Sequence, residues 1–120
     1  MEIEQHTVGD VLVLSIRGDI TMNGTWATPV ADTVRSALQE GHDRFVLDLG
    51  RVRYVDSAGL GELVQASCAV RTRGGAMKLL NVTKRVTDLL ALTKLLAVFE
   101  YFDRESDALA SFDWPAARYR

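Results

Sequence analysis

The sequence predicts an α/β fold: one domain in which an N-terminal β-hairpin leads into a mostly parallel, mixed sheet of about five strands with about four helices. Short runs that are apolar on both faces alternate with longer stretches of helical spacing, the pattern of strand-helix-strand units. The first two strands are separated only by Gly9-Asp10, a loop that closes a hairpin. A length of 120 residues suits one core and no second one. The domain is expected to fill 1–120, with 113–120 as a loose C-terminal tail.

Residues 2–8 and 11–17 read as the hairpin strands. In the second, Leu12, Leu14 and Ile16 share one face and Val11 and Val13 the other, so both faces are covered. The segment Gly18 to Gly24 is rich in turn formers and reads as a loop. A helix follows from about Thr28 to Glu40. Thr28 can cap it, Pro29 suits a first turn where no amide donor is needed, and Gly41 ends it. Its buried stripe is Val30, Val34, Ala37 and Leu38. Residues 44–49 form an inner strand, and a second helix from about Ser57 to Arg73 stops at Gly74-Gly75. Residues 76–81 give the next strand. Thr83 caps a third helix reaching about Thr93. Residues 97–102 give the last strand, and a final helix from about Arg104 to Phe112 ends before Trp114-Pro115.

Fourteen basic and sixteen acidic residues leave a formal charge of -2, too little positive field for direct nucleic-acid binding. Cys68 is the one cysteine, so an internal disulfide is excluded, and with two scattered histidines there is no zinc ligand set. No cofactor is expected. The N-terminus lacks the basic and apolar regions of a signal peptide, and no run approaches a membrane span. A cytoplasmic protein without membrane insertion is the expectation.

The segment that breaks local rules is Val55-Asp56-Ser57-Ala58-Gly59-Leu60-Gly61-Glu62. Asp56 is a good N-cap, and Ser57 then sits in the first turn beside free amides. Gly59 and Gly61 each cost a helix interior about 0.8–1 kcal/mol. Glycine there either lets the helix approach the sheet or clears a flat surface beside Ser57 for another protein. Enzyme readings fail at this segment. A nucleophile elbow needs glycine at position 55, which is valine, and neither His6 nor His42 is placed as a base. A dinucleotide fingerprint needs glycine at 64, which is also valine, and no Gly-Lys-Ser/Thr is present. A serine exposed at a helix start without catalytic apparatus has the look of a phosphate acceptor, with another protein supplying the chemistry.

Here the sequence resembles the STAS family, and within it the bacterial anti-sigma factor antagonists. The matching residues are Gly18-Asp19-Ile20, Phe45 to Leu49, Val55 to Gly61, and Leu92-Thr93-Lys94-Leu95 with Val98-Phe99. The resemblance implies a partner switch. The unphosphorylated protein binds an anti-sigma factor that is also a serine kinase and so frees a sigma factor. The kinase phosphorylates Ser57, the pair separates, and a serine phosphatase resets it. Asp56, Ser57, Ala58, Gly59 and Gly61 would meet the partner, together with Thr21, Met22, Asn23 and Trp26 of the preceding loop. A weak homodimer is compatible with this reading. The alternative is a cytoplasmic STAS subunit of a lipid ABC transporter, holding its ATPase without a switch. Two positions depart from the family pattern. Thr21 stands where many members have an acid, and Lys94 where many have a glycine, which makes a left-handed helix end less secure there.

Of the other residues, Cys68 reads as a small buried side chain, and Tyr54 and Val55 as seats of the motif on the core. Asp48, in an apolar strand, either ends it or takes a loop amide. Trp26 is equally suited to the core and to a partner surface.

Overall fold

The computed structural model describes residues 2–21, 30–95 and 99–116, with side chains as far as 112. Element order is β1 (Glu2–Val8), β2 (Val11–Ile20), α1 (Val30–Gln39), β3 (Arg44–Val55), α2 (Ser57–Thr72), β4 (Ala76–Leu80), α3 (Lys84–Leu92), β5 (Glu100–Phe102) and α4 (Glu105–Ala116). The five strands lie in sequence order in one sheet. β1 is antiparallel to β2, and the rest are parallel. This is the predicted architecture. No helix among the described residues is long and apolar enough to cross a membrane.

The sheet is covered unequally. One face carries Leu12, Leu14, Phe45, Leu47, Leu49 and Leu79, packed against α1, α2 and α3. The opposite face buries Val11, Val13, Val46 and Leu80 under Ala108 and Phe112 of α4. Lys78 also lies on that face, its side chain 12% exposed beside Glu100 and over the Phe112 ring. Burial holds its ammonium below the ordinary lysine range.

Four boundaries differ from the sequence expectation. β2 runs on to Ile20, taking Gly18, Asp19 and Ile20 out of the expected loop. β3 runs on to Val55, six residues beyond Leu49. The register explains the second. Ser15 and Arg17 face Asp48 and Arg51, and Gly18 and Ile20 face Val52 and Val55, so β3 twice carries an extra residue. These bulges move the core positions from 45, 47 and 49 to 52 and 55, and the alternation that marks a strand is lost. β5 is a three-residue strand, with 96–98 outside the described residues. α4 continues through Pro115 to Ala116, past the end expected before Trp114-Pro115.

Asp48 has its account in the first bulge. Its Oδ1 accepts from the Gly50 amide at 3.0 Å and from Asn81 Nδ2 at 3.2 Å. A bulge leaves an amide unpaired within the ladder, and a carboxylate two residues upstream supplies the acceptor.

Helices α1, α2 and α3 end alike. In each, the amide two residues past the C-cap bonds back to a carbonyl in the last turn: His42 to Ala37, Gly75 to Val70 and Leu95 to Leu90. The residue between must be left-handed. It is Gly41 (φ 104°), Gly74 (φ 80°) and Lys94 (φ 62°). Lys94 therefore adopts the left-handed end that its side chain disfavours.

Candidate partner-binding site

The site forms where β2 and β3 end side by side. Ile20 pairs with Val55, and the Asp56 amide donates to the Ile20 carbonyl at 3.3 Å. Asp56 has extended backbone (φ −89°, ψ 179°), and its Oδ1 accepts from the Gly59 amide at 2.6 Å. That is N-capping as the sequence predicts. Ser57 is the first residue of α2 and is exposed, as is Ala58. The carboxylate beside Ser57 is thus already committed to the helix, and the exposed Ser57 stands at the positive end of a 16-residue helix.

The two motif glycines part company. A Cβ on Gly59 would overlap the Ile20 carbonyl oxygen and stand 2.7 Å from its carbon. Gly59 is buried because the helix start lies directly on the end of β2. Around Gly61 a Cβ would meet nothing within 4 Å. Packing explains the first glycine and leaves the second unexplained. Gly61 is four residues after Ser57, on the same helix face. Gln65, Cys68 and Thr72 continue that exposed stripe.

Cys68 is therefore a correction: it is exposed. The buried face of α2 is set by Leu60, Leu63, Ala66 and Val70, and position 68 falls on the other side. Tyr54 is a second correction. Val55 is buried as expected, but Tyr54 is 49% exposed. It lines an apolar groove with Val55, Val86, Leu89 and Leu92, rimmed by Arg85 and Asp88. Leu92 is 82% exposed. This groove adjoins the Ser57 motif through Val55-Asp56. No local sequence signal marks this groove, because the bulge that turns Tyr54 off the core face exists only in register with β2.

Of the preceding loop, Thr21 is half-buried and directly follows Ile20, so it lies at the site. Met22, Asn23 and Trp26 lie outside the described residues, as do Thr28 and Pro29. Glu62 is the residue the sequence reading missed. Its Oε1 accepts from the amide of Val30, the first residue of α1, at 2.6 Å. It ties the start of α1 to the second turn of α2. The histidines stand elsewhere: His6 is on β1 near Glu105 of α4, and His42 precedes β3 at the opposite end of the sheet. No group of acidic, histidine or cysteine side chains among the described residues could hold a metal.

A five-strand mixed sheet led by a hairpin and accompanied by four helices defines a small α/β domain. The chain belongs to the STAS domain family, whose model matches residues 2–108. The anti-sigma F factor antagonist of Paenibacillus polymyxa is 26% identical over 118 residues, covering 94% of each chain. Among solved structures, an anti-sigma factor antagonist from Mycobacterium paratuberculosis matches with a TM-score of 0.74 at 20% identity over 92% of both chains. The Bacillus protein SpoIIAA in its phosphorylated form matches with a TM-score of 0.69 at 14% identity, over 92% of this chain and 99% of that one. At such identities the likeness to these structures is one of fold.

Proposed function

We propose that this chain is an anti-sigma factor antagonist. Unphosphorylated, it binds an anti-sigma factor that is also a serine kinase, and a sigma factor is released. Phosphorylation of Ser57 ends the binding, and a serine phosphatase restores it. The chain acts in the cytoplasm as a binding protein and performs no catalysis itself. The observation that carries this reading is the exposed Ser57 on a capped helix start, with open space at Gly61 one turn along the same face.

The switch follows from electrostatics. A phosphate adds about −1.5 to −2 charge at pH 7. Within the free protein, the helix N-terminus favours it by roughly 0.3–1 kcal/mol, and Asp56 opposes it by like-charge repulsion. The fold changes little. A partner covering Ser57 would have to desolvate that phosphate, and a buried charge without a matched cation costs several kcal/mol. Each ~1.4 kcal/mol is tenfold in affinity, so release by a factor of hundreds follows. Thr21, beside the motif, and the Tyr54–Leu92 groove extend the partner's footprint.

The test is a pull-down from host lysate with tagged Ser57→Ala and Ser57→Asp proteins side by side, read by mass spectrometry. A kinase-like ATPase captured by the alanine form and lost by the aspartate form supports the switch. Transporter subunits captured equally by both would replace it with the transporter reading.

A further inference from the structure

Among the described residues, no strand pairs with the outer edge of β1. β5 closes one side with only three residues, whereas β1 on the other side is seven residues long, exposed almost throughout, and free of proline. Its register with β2 is unbroken. Sheets usually blunt such an edge with bulges, prolines or lysines, and β1 has none of these. Its carboxylates, Glu2 and Glu4, both pair with Arg17 of β2, and its imidazole, His6, lies 3.9 Å from Glu105 of α4.

The hairpin fixes which groups of β1 are free. Gly9 has φ 61°, and it and Asp10 are the only residues between the paired Val8 and Val11. The flanking pair of a two-residue turn is hydrogen-bonded, so Glu2, Glu4, His6 and Val8 direct their backbone groups to β2. The amides and carbonyls of Ile3, Gln5 and Thr7 then point outward.

We propose that this edge pairs with the same edge of a second copy, antiparallel about a two-fold axis at Gln5. That register overlaps the whole of β1. It sets Gln5 against Gln5 and Ile3 against Thr7 as hydrogen-bonded pairs. The closer, non-hydrogen-bonded pairs are then Glu4 with His6 of the second copy and His6 with its Glu4. Shifting by two residues either way sets Glu4 against Glu4 or His6 against His6. Full overlap and the pairing of each Glu4 carboxylate with a His6 imidazole, which donates an N–H in either protonation state, therefore choose the same register, and the sheet continues across two chains. Because the two sheets run antiparallel, their Ser57 ends point in opposite directions and both stay open. The proposal does not depend on what binds at Ser57.

Sedimentation velocity of the full chain from 10 μM to 1 mM tests it. The apparent mass should rise from 13.3 kDa toward twice that value, with a midpoint between roughly 10 μM and 1 mM, the weak association expected of a contact below ~1,200 Å². His6→Glu sets glutamate against Glu4 twice and should weaken association at least tenfold. Adding Glu4→Lys to it should restore association. Gln5→Pro removes an outward amide at the axis and leaves the β2 ladder intact, so it should abolish association with an unchanged circular dichroism spectrum. A monomer at 1 mM overturns the proposal. A dimer indifferent to both His6→Glu and Gln5→Pro overturns it too, since another face would then hold the copies together. If Gln5→Pro fails to fold, His6→Glu and its rescue decide.

Discussion

Replacing each motif glycine by alanine separates packing from docking. At Gly59 the new methyl would overlap the Ile20 carbonyl oxygen, which also accepts the Asp56 amide. Backbone stands on both sides, so relief requires α2 to move off the end of β2. Overpacking of this kind costs about 1–3 kcal/mol, and the upper part of that range is expected where the obstacle is backbone. At Gly61 the methyl meets nothing, and alanine regains most of the ~0.8–1 kcal/mol that glycine loses in a helix. The same chemical change should therefore move stability in opposite directions, with a gap of about 3 kcal/mol. For a domain of this size, about 4 °C of Tm accompanies each kcal/mol. Gly59→Ala should melt roughly 8–12 °C lower and Gly61→Ala roughly 2–4 °C higher, by calorimetry or urea midpoints. The stabilised Gly61→Ala should nonetheless bind the partner more weakly, because its methyl rises beside Ser57. Two shifts of the same sign would refute the assignment of roles. A stabilised Gly61→Ala that binds as well as the wild type would remove Gly61 from the interface.

Lys94→Gly should stabilise by about 1 kcal/mol, since a lysine in the left-handed region costs roughly 1–2 kcal/mol and glycine almost nothing; no gain in urea midpoint would mean that the α3 end relaxes in solution. Glu62→Ala should lose about 1–2 kcal/mol by leaving the first α1 amide without its acceptor, and Glu62→Gln should recover most of that in the same assay. Lys78→Met tests a pH dependence. Burial lowers the folded-state pKa of Lys78, so between that value and the ordinary ~10.4 the unfolded chain binds more protons and stability at this site rises with pH. The variant should be at least as stable as wild type at pH 7, and its advantage should shrink as pH rises toward 10. A stability difference that stays flat from pH 7 to 10 would show that Lys78 titrates as an exposed lysine.

The elements were legible because their signals are local. The Gly9-Asp10 turn, the Thr83 cap and the glycines after α1 and α2 act within a few residues, and each stands where the sequence puts it. What escaped depends on contacts between segments distant in sequence. Beyond Leu49 β3 is invisible to a period-two reading, because its two bulges exist only in register with β2. Those bulges turn Tyr54 outward and carry the chain to Asp56 beside Ile20, so they place the candidate site itself. Glu62 reads as an ordinary surface residue until α1 is seen to start against it. The motif glycines show the limit most clearly. Two residues apart and equally costly to a helix, they are indistinguishable in sequence, and only the Ile20 carbonyl against one of them tells that Gly59 serves the fold. Gly61 retains its cost with no packing return, and a residue kept at such a cost on the face of Ser57 is where a partner surface is to be sought.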